Sequence, residues 1–111
     1  MQRRPGVPTF LQSALWSVNV RALDPKKDKR YIIEQILNYG TWRQLQWLLK
    51  TYATREIRHM LRNPSRGIWH DEVLTYWEKI LNTKVESAAR ERAIFSLEPR
   101  YLPLPHAKTT R

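Results

Sequence analysis

Apolar residues recur with helical spacing in several stretches of the chain, and the residues between those stretches are typical of helix ends. Asp24-Pro25 reads as an N-cap followed by proline at the first helical position, and Gly40 reads as a C-terminal stop. Together they predict a first helix over 25–39, with Ile32, Ile33, Ile36 and Leu37 as its buried stripe. Thr41 with Gln44 three residues on is a capping-box pattern, which opens a second helix at Trp42 that runs to Tyr52. Trp42, Leu45, Leu48, Leu49 and Tyr52 share one face of it, while Trp47 projects roughly 150° from that face at about 100° per residue. Either Trp47 is covered by Phe10, Leu11, Leu15 or Trp16, or it faces a partner.

Thr54 caps a short third helix over 55–62, which Asn63-Pro64 ends because the residue before proline avoids the helical region. A fourth helix starts at His70 or Asp71 and runs to Asn82, with Val73, Leu74, Tyr76, Trp77, Ile80 and Leu81 on its core side. A weaker pattern over 84–95 carries Val85, Ala88, Ala89, Ile94 and Phe95, and either extends the fourth helix or packs separately. These elements imply an all-α fold: a small compact bundle of four to five helices with a helix-turn-helix-like central pair and extended termini. In this division residues 1–24 are an N-terminal arm whose Phe10, Leu11, Leu15 and Trp16 clip over the bundle, with Val18 and Val20 in a short extended stretch. Residues 25–96 are the helical domain, and 97–111 form a Pro-rich basic tail that prolines 99, 103 and 105 keep out of regular helix.

Composition narrows the chemistry. A chain of 111 residues has room for one core. With no cysteine, disulfide, zinc-thiolate and redox chemistry are excluded, and His59, His70 and His106 are too far apart for a local metal motif, so neither metal nor cofactor is expected. Glycines at 6, 40 and 67 cannot form a phosphate-cradling loop. Apolar runs no longer than three residues exclude a spanning helix and a secretory signal in this sequence, so the expectation is a cytoplasmic protein without membrane contact.

The charge is +10, from 20 Lys and Arg against 10 Asp and Glu. Residues 1–30 carry +5, 31–63 carry +3, 64–82 carry −1 and 83–111 carry +3, a distribution that attracts a polyanion or an acidic protein. Lys26, Lys27, Lys29 and Arg30 crowd the first turns of the first predicted helix, where the dipole disfavours cations and an anionic partner would offset the cost. Arg55, Arg58, His59 and Arg62 fall within an arc of about 100° on the third, and its arginines at i, i+3 and i+7 span about 10 Å, a reach that suits successive phosphates.

Catalytic patterns are weak. Asp71-Glu72 sit where acids favour a helix start. Arg100 and His106 have the spacing of a helical ribonuclease motif, but the prolines between them break the helix it needs. Arg58-His59 lacks a second base or a metal, so the expectation is a protein that is not an enzyme. Two binding roles remain. In one, the second and third helices act as a helix-turn-helix on DNA or RNA, with Arg55, Arg58, His59, Arg62, Lys26, Lys27 and Arg30 as contacts. In the other, Trp47, Trp69 and Tyr101 dock a protein partner, although Trp69 could instead staple onto Val73.

The stretch "YIIEQILNYG", followed by Leu45, Trp47-Leu48, Tyr52, Ile57-Arg58, Arg66-Gly67 and Tyr76-Trp77, resembles a family of small prokaryotic helical proteins over residues 10–82. Ala53 and Tyr76 stand where that family often has Gly and Phe. Its genes often lie beside a nucleotidyltransferase-like toxin of the abortive-infection type. The resemblance therefore implies an antitoxin-like or accessory role with that toxin as partner, and it supplies no catalytic residues.

Overall fold

The computed structural model describes residues 6–94. Two 3-10 turns, Thr9–Leu11 and Val20–Ala22, precede five helices: α1 (Lys29–Tyr39), α2 (Trp42–Thr51), α3 (Thr54–Arg62), α4 (Asp71–Ile80) and α5 (Ser87–Ala93). The fold is all-α, as the periodicity predicts. The pairing of Trp69 with Ile94 is a single parallel bridge.

The axis of the bundle is α1, which packs against α2, α3 and α4, while α3 also packs against α4. α2 and α3 are joined through extended Tyr52 and Ala53, and each packs on α1. Six consecutive residues of α1, from Ile32 to Leu37, are buried. A helix buried on all sides is normally apolar all round, yet Glu34 and Gln35 lie within this run, and a buried polar group must find partners.

Both do. The Gln35 amide donates to the Ala14 carbonyl at 3.0 Å. The Glu34 carboxylate, 2% exposed, accepts from Ser65 N–H at 2.7 Å, Ser65 Oγ at 2.6 Å and the Trp69 indole N–H at 3.0 Å. One buried anion thus holds the α3–α4 loop onto the central helix.

Glutamines hold the N-terminal arm. Gln12 Nε2 donates to the Leu15 and Val18 carbonyls, and its Oε1 accepts from Val20 N–H. Gln44 Nε2 donates to the Phe10 carbonyl at 2.8 Å and to Ser13 Oγ at 2.9 Å. Leu11, Ala14, Leu15 and Val20 thereby enter the core, whereas Phe10, Trp16 and Val18 remain exposed. Val20 opens a 3-10 turn instead of continuing an extended stretch.

The predicted helix boundaries hold with local corrections. The first helix is regular from Lys29 and not from residue 25. Asp24 Oδ1 accepts from Lys26 and Lys27 N–H as an N-cap would, but residues 25–28 remain a turn, drawn back by the bond from Asp24 N–H to Asp28 Oδ2. Gly40 ends α1 in an extended conformation; a Cβ there would sit 2.6 Å from the Ile36 carbonyl oxygen, so close approach explains the glycine. The Thr41–Gln44 capping box forms in both directions. The cap of α3 is Ala53, not Thr54, and its free N–H is satisfied by Glu56 Oε1 at 3.0 Å. At the end of α4, Asn82 adopts φ 51°, a left-handed stop that asparagine tolerates, so α5 packs as a separate helix.

Two apolar faces are rotated from expectation. In α2 the buried line is Gln44, Leu48 and Tyr52, leaving Trp42 69% and Leu49 45% exposed. The side chain of Gln44 must point inward to reach the arm, and that sets the rotation of the helix. In α4 the core line is Leu74, Trp77 and Leu81, with Val73 half-buried, while Tyr76 and Ile80 face out. The Trp77 indole donates to the Leu37 carbonyl at 3.0 Å and fixes that rotation.

Arg90 joins α5 to α4 by ion pairs to Asp71 and Glu78, both at 2.8 Å, and by a bond to Thr75 Oγ1. The carboxylates and the hydrogen bonds hold its guanidinium charged. Backbone bonds from Gly67 N–H to the Arg92 carbonyl and from Trp69 N–H to the Ala93 carbonyl, both 2.9 Å, lay the end of α5 along the same loop that Glu34 holds.

Replacing Glu34 by Ala strands the buried donors of Ser65 and Trp69 and should destabilise the fold by roughly 3 kcal/mol in urea denaturation, more than Glu34→Gln, which keeps a carbonyl acceptor. Burial, reinforced by Glu56, Asp24 and Asp28, pushes the Tyr52 phenol up to about 12, and its hydroxyl donates to the Pro25 carbonyl at 2.6 Å. Because the unfolded phenol ionises near pH 10, the folded state binds more protons between pH 10 and about 12. Stability should be independent of this group below pH 10 and decline as pH rises through that window. Denaturation in alkaline buffers should show this decline, and Tyr52→Phe should remove it.

Candidate nucleic-acid interface

The sequence of α3 separates apolar from basic residues around a short helix. Ile57, Met60 and Leu61 are buried, while Arg55, His59 and Arg62 are exposed. Arg55 and Arg62 are seven residues apart, about 10 Å along the axis. Arg58 departs from the predicted stripe: it is half-buried, and its Nε donates to the Leu81 carbonyl at 2.9 Å. Leu81 is the C-cap of α4, so Arg58 satisfies a helix-end carbonyl and its charge complements the dipole there.

Two open depressions flank α3. The first, of about 450 Å³, is lined by Lys29, Arg55, Glu56, Arg58, His59, Met60 and Arg62. The second, of about 510 Å³, is lined by His59, Arg62, Asn63, Lys84, Glu86, Ala89 and Arg92. His59 and Arg62 belong to both, so the two form one basic region across the helix. The acid in the first depression is already engaged: Glu56 pairs with Lys29 at 2.9 Å and accepts from Ala53 N–H. The Lys29 bond is the main reason its carboxyl titrates below the ordinary range.

Among the other predicted contacts, Arg30 donates to the Asn63 carbonyl at 2.5 Å and approaches Glu34 at 3.8 Å, so it closes the C-terminal end of α3. Lys26 and Lys27 lie in the exposed turn before α1 and line neither depression. Lys84 and Arg92 complete the region but gave no signal in the sequence, because their nearness to α3 arises only when α5 folds back.

The predicted protein-docking residues are dispersed. Trp69 is fully buried and hydrogen-bonded to Glu34, which corrects its assignment to a partner surface. Trp47 is half-buried, edge-on to Tyr52 with ring centroids 6.1 Å apart. Tyr101 lies outside the described residues. The exposed aromatic surface is elsewhere: Trp16 packs edge-on against Tyr39 at 4.6 Å, the Tyr39 hydroxyl meets His70 Nε2 at 2.9 Å, and Arg43 lies 5.2 Å over the ring of Phe10. Among the described residues no helix is long and apolar enough to cross a membrane, and no group of three His, Asp or Glu could hold a metal ion.

A family model described as a family of unknown function, DUF6922, matches residues 10–61. No curated protein matches the chain, and no solved structure does. The matched segment runs from the first 3-10 turn almost to the end of α3, so it includes Arg55, Arg58 and His59 and leaves out Arg62, Lys84 and Arg92.

Arg58→Ala should lower stability by about 1 kcal/mol, because the Leu81 carbonyl loses its donor. Arg62→Ala, at an exposed position, should change stability by less than about 0.5 kcal/mol. Paired thermal melts of the two variants test this division of roles.

Proposed function

We propose that this protein is a non-enzymatic binding module that grips the phosphodiester backbone of a nucleic acid across α3. The supporting observation is the pair of depressions that share His59 and Arg62 and draw cations from α3 and the α5 region, with the one carboxylate of the first depression already paired with Lys29. Guanidinium groups bind phosphate bidentately, and neutralising several phosphates releases counterions, which is the main source of affinity for a charged backbone. Contacts of this kind to the backbone position the nucleic acid and carry no sequence information of their own.

A second reading is the antitoxin-like accessory role with a nucleotidyltransferase-like toxin as partner. The observation that favours it is the exposed aromatic surface of Trp16, Tyr39 and Trp42, since aromatic side chains are enriched in the cores of protein interfaces. The two readings use different faces, and one protein can carry both.

The test is fluorescence anisotropy with labelled mixed-sequence oligonucleotides, single- and double-stranded, titrated at several salt concentrations. Affinity should fall steeply with salt, and Arg55→Glu combined with Arg62→Glu should weaken binding at least about tenfold without a change in melting temperature. Binding by the double variant equal to that of the parent would refute the proposal.

A further inference from the structure

We infer that the nucleic acid taken by this site is B-form duplex DNA, with α3 in the major groove and the phosphates of the two strands in the two depressions. The inference rests on the nucleic-acid reading and names its substrate class. Three observations carry it.

First, the exposed line of α3 is a ridge with a basic depression on each side. Arg55 supplies charge to one depression, where Lys29 is paired with Glu56, and Lys84 and Arg92 supply it to the other. A helix with side chains is about 10–12 Å across, which matches a major groove about 12 Å wide and bordered on both edges by phosphates. A single strand offers only one row of phosphates and would leave one side of the ridge unused.

Second, among the described residues neither depression is lined by Trp, Tyr or Phe. Proteins that take single strands hold the unstacked bases on aromatic rings, each worth about 1–3 kcal/mol. Here the exposed aromatics Trp16 and Tyr39 line neither depression, and the described residues offer the bases of a bound nucleic acid no ring there to stack on. A duplex, with its bases already stacked, does not need one.

Third, the nine residues of α3 span about 13 Å, and at the far end of the ridge Asn63 and Pro64 turn the chain away. A ridge this short can occupy one stretch of a wide groove. The major groove of A-form RNA is deep and too narrow to admit it, which selects DNA over double-stranded RNA.

The experiment compares four probes of one mixed sequence on the full chain: a DNA duplex of about 20 base pairs, each of its single strands, and the corresponding RNA duplex. Duplex DNA should bind at least about tenfold more tightly than either single strand or the RNA duplex, with a log–log salt slope of about −4.5 for about five neutralised phosphates. Dimethyl sulfate should then methylate guanine N7, which lies in the major groove, more slowly in the bound duplex than in the free one. Lys84→Glu with Arg92→Glu, both exposed, should reduce duplex binding while the melting temperature holds. Single strands or RNA binding as well as duplex DNA, or unprotected N7, would overturn the duplex assignment and leave the backbone-binding proposal standing. No binding of any probe would overturn both.

Discussion

The carboxylate of Glu34 is the constraint on which the fold depends. An anion removed from water in the middle of the central helix is tolerable only if donors surround it. Here they come from Ser65 and Trp69, both in the loop between α3 and α4. Meeting the needs of one buried group fixes the path of a loop that would otherwise be free. That loop in turn receives the end of α5, through Gly67 and Trp69, so the last of the described helices is registered by a residue of the first. Arg30 extends the same arrangement outward, standing between Glu34 and the carbonyl of Asn63 at the end of α3.

The placement of charge follows from this scaffold. α3 lies along α1 with its apolar side inward, and the loop held by Glu34 brings α5 alongside its C-terminal end. Cations far apart in the sequence thus meet around a single short helix. Two of the arginines and one lysine that look equally available in the sequence are in fact committed to the fold: Arg58 to the end of α4, Arg30 to the end of α3, and Lys29 to Glu56. What remains for a ligand is set by which cations the fold has not already used.

Much of the architecture was legible because it is written locally. The capping box at Thr41 and Gln44, the stop at Asn63-Pro64 and the period of Ile32, Ile33, Ile36 and Leu37 each depend on neighbours within a turn or two. The rotation of α2 was not legible. Apolar residues lie on two sides of it, and the choice falls to the amide of Gln44, whose partners Phe10 and Ser13 are more than 30 residues away. The same holds for α4, where the indole of Trp77 selects the carbonyl of Leu37 and leaves Tyr76 and Ile80 outside. Of the basic site, the α3 portion was visible as a helical arc, while Lys84 and Arg92 become part of it only through tertiary folding.

The tryptophans divide the molecule into two optical populations. Trp69 and Trp77 are sealed from solvent, each with its indole N–H bonded to a fixed acceptor, whereas Trp16 and Trp42 stand largely in water and Trp47 lies between these extremes. An indole next to a carboxylate in an apolar setting emits in a different field from one surrounded by mobile water dipoles. Emission from the protein is therefore a composite: its blue edge reports the joint between α1, the α3–α4 loop and α4, and its red edge reports the outer surface. A water-soluble quencher reaches the second component first, so the integrity of the Glu34 joint can be followed by light in the intact chain.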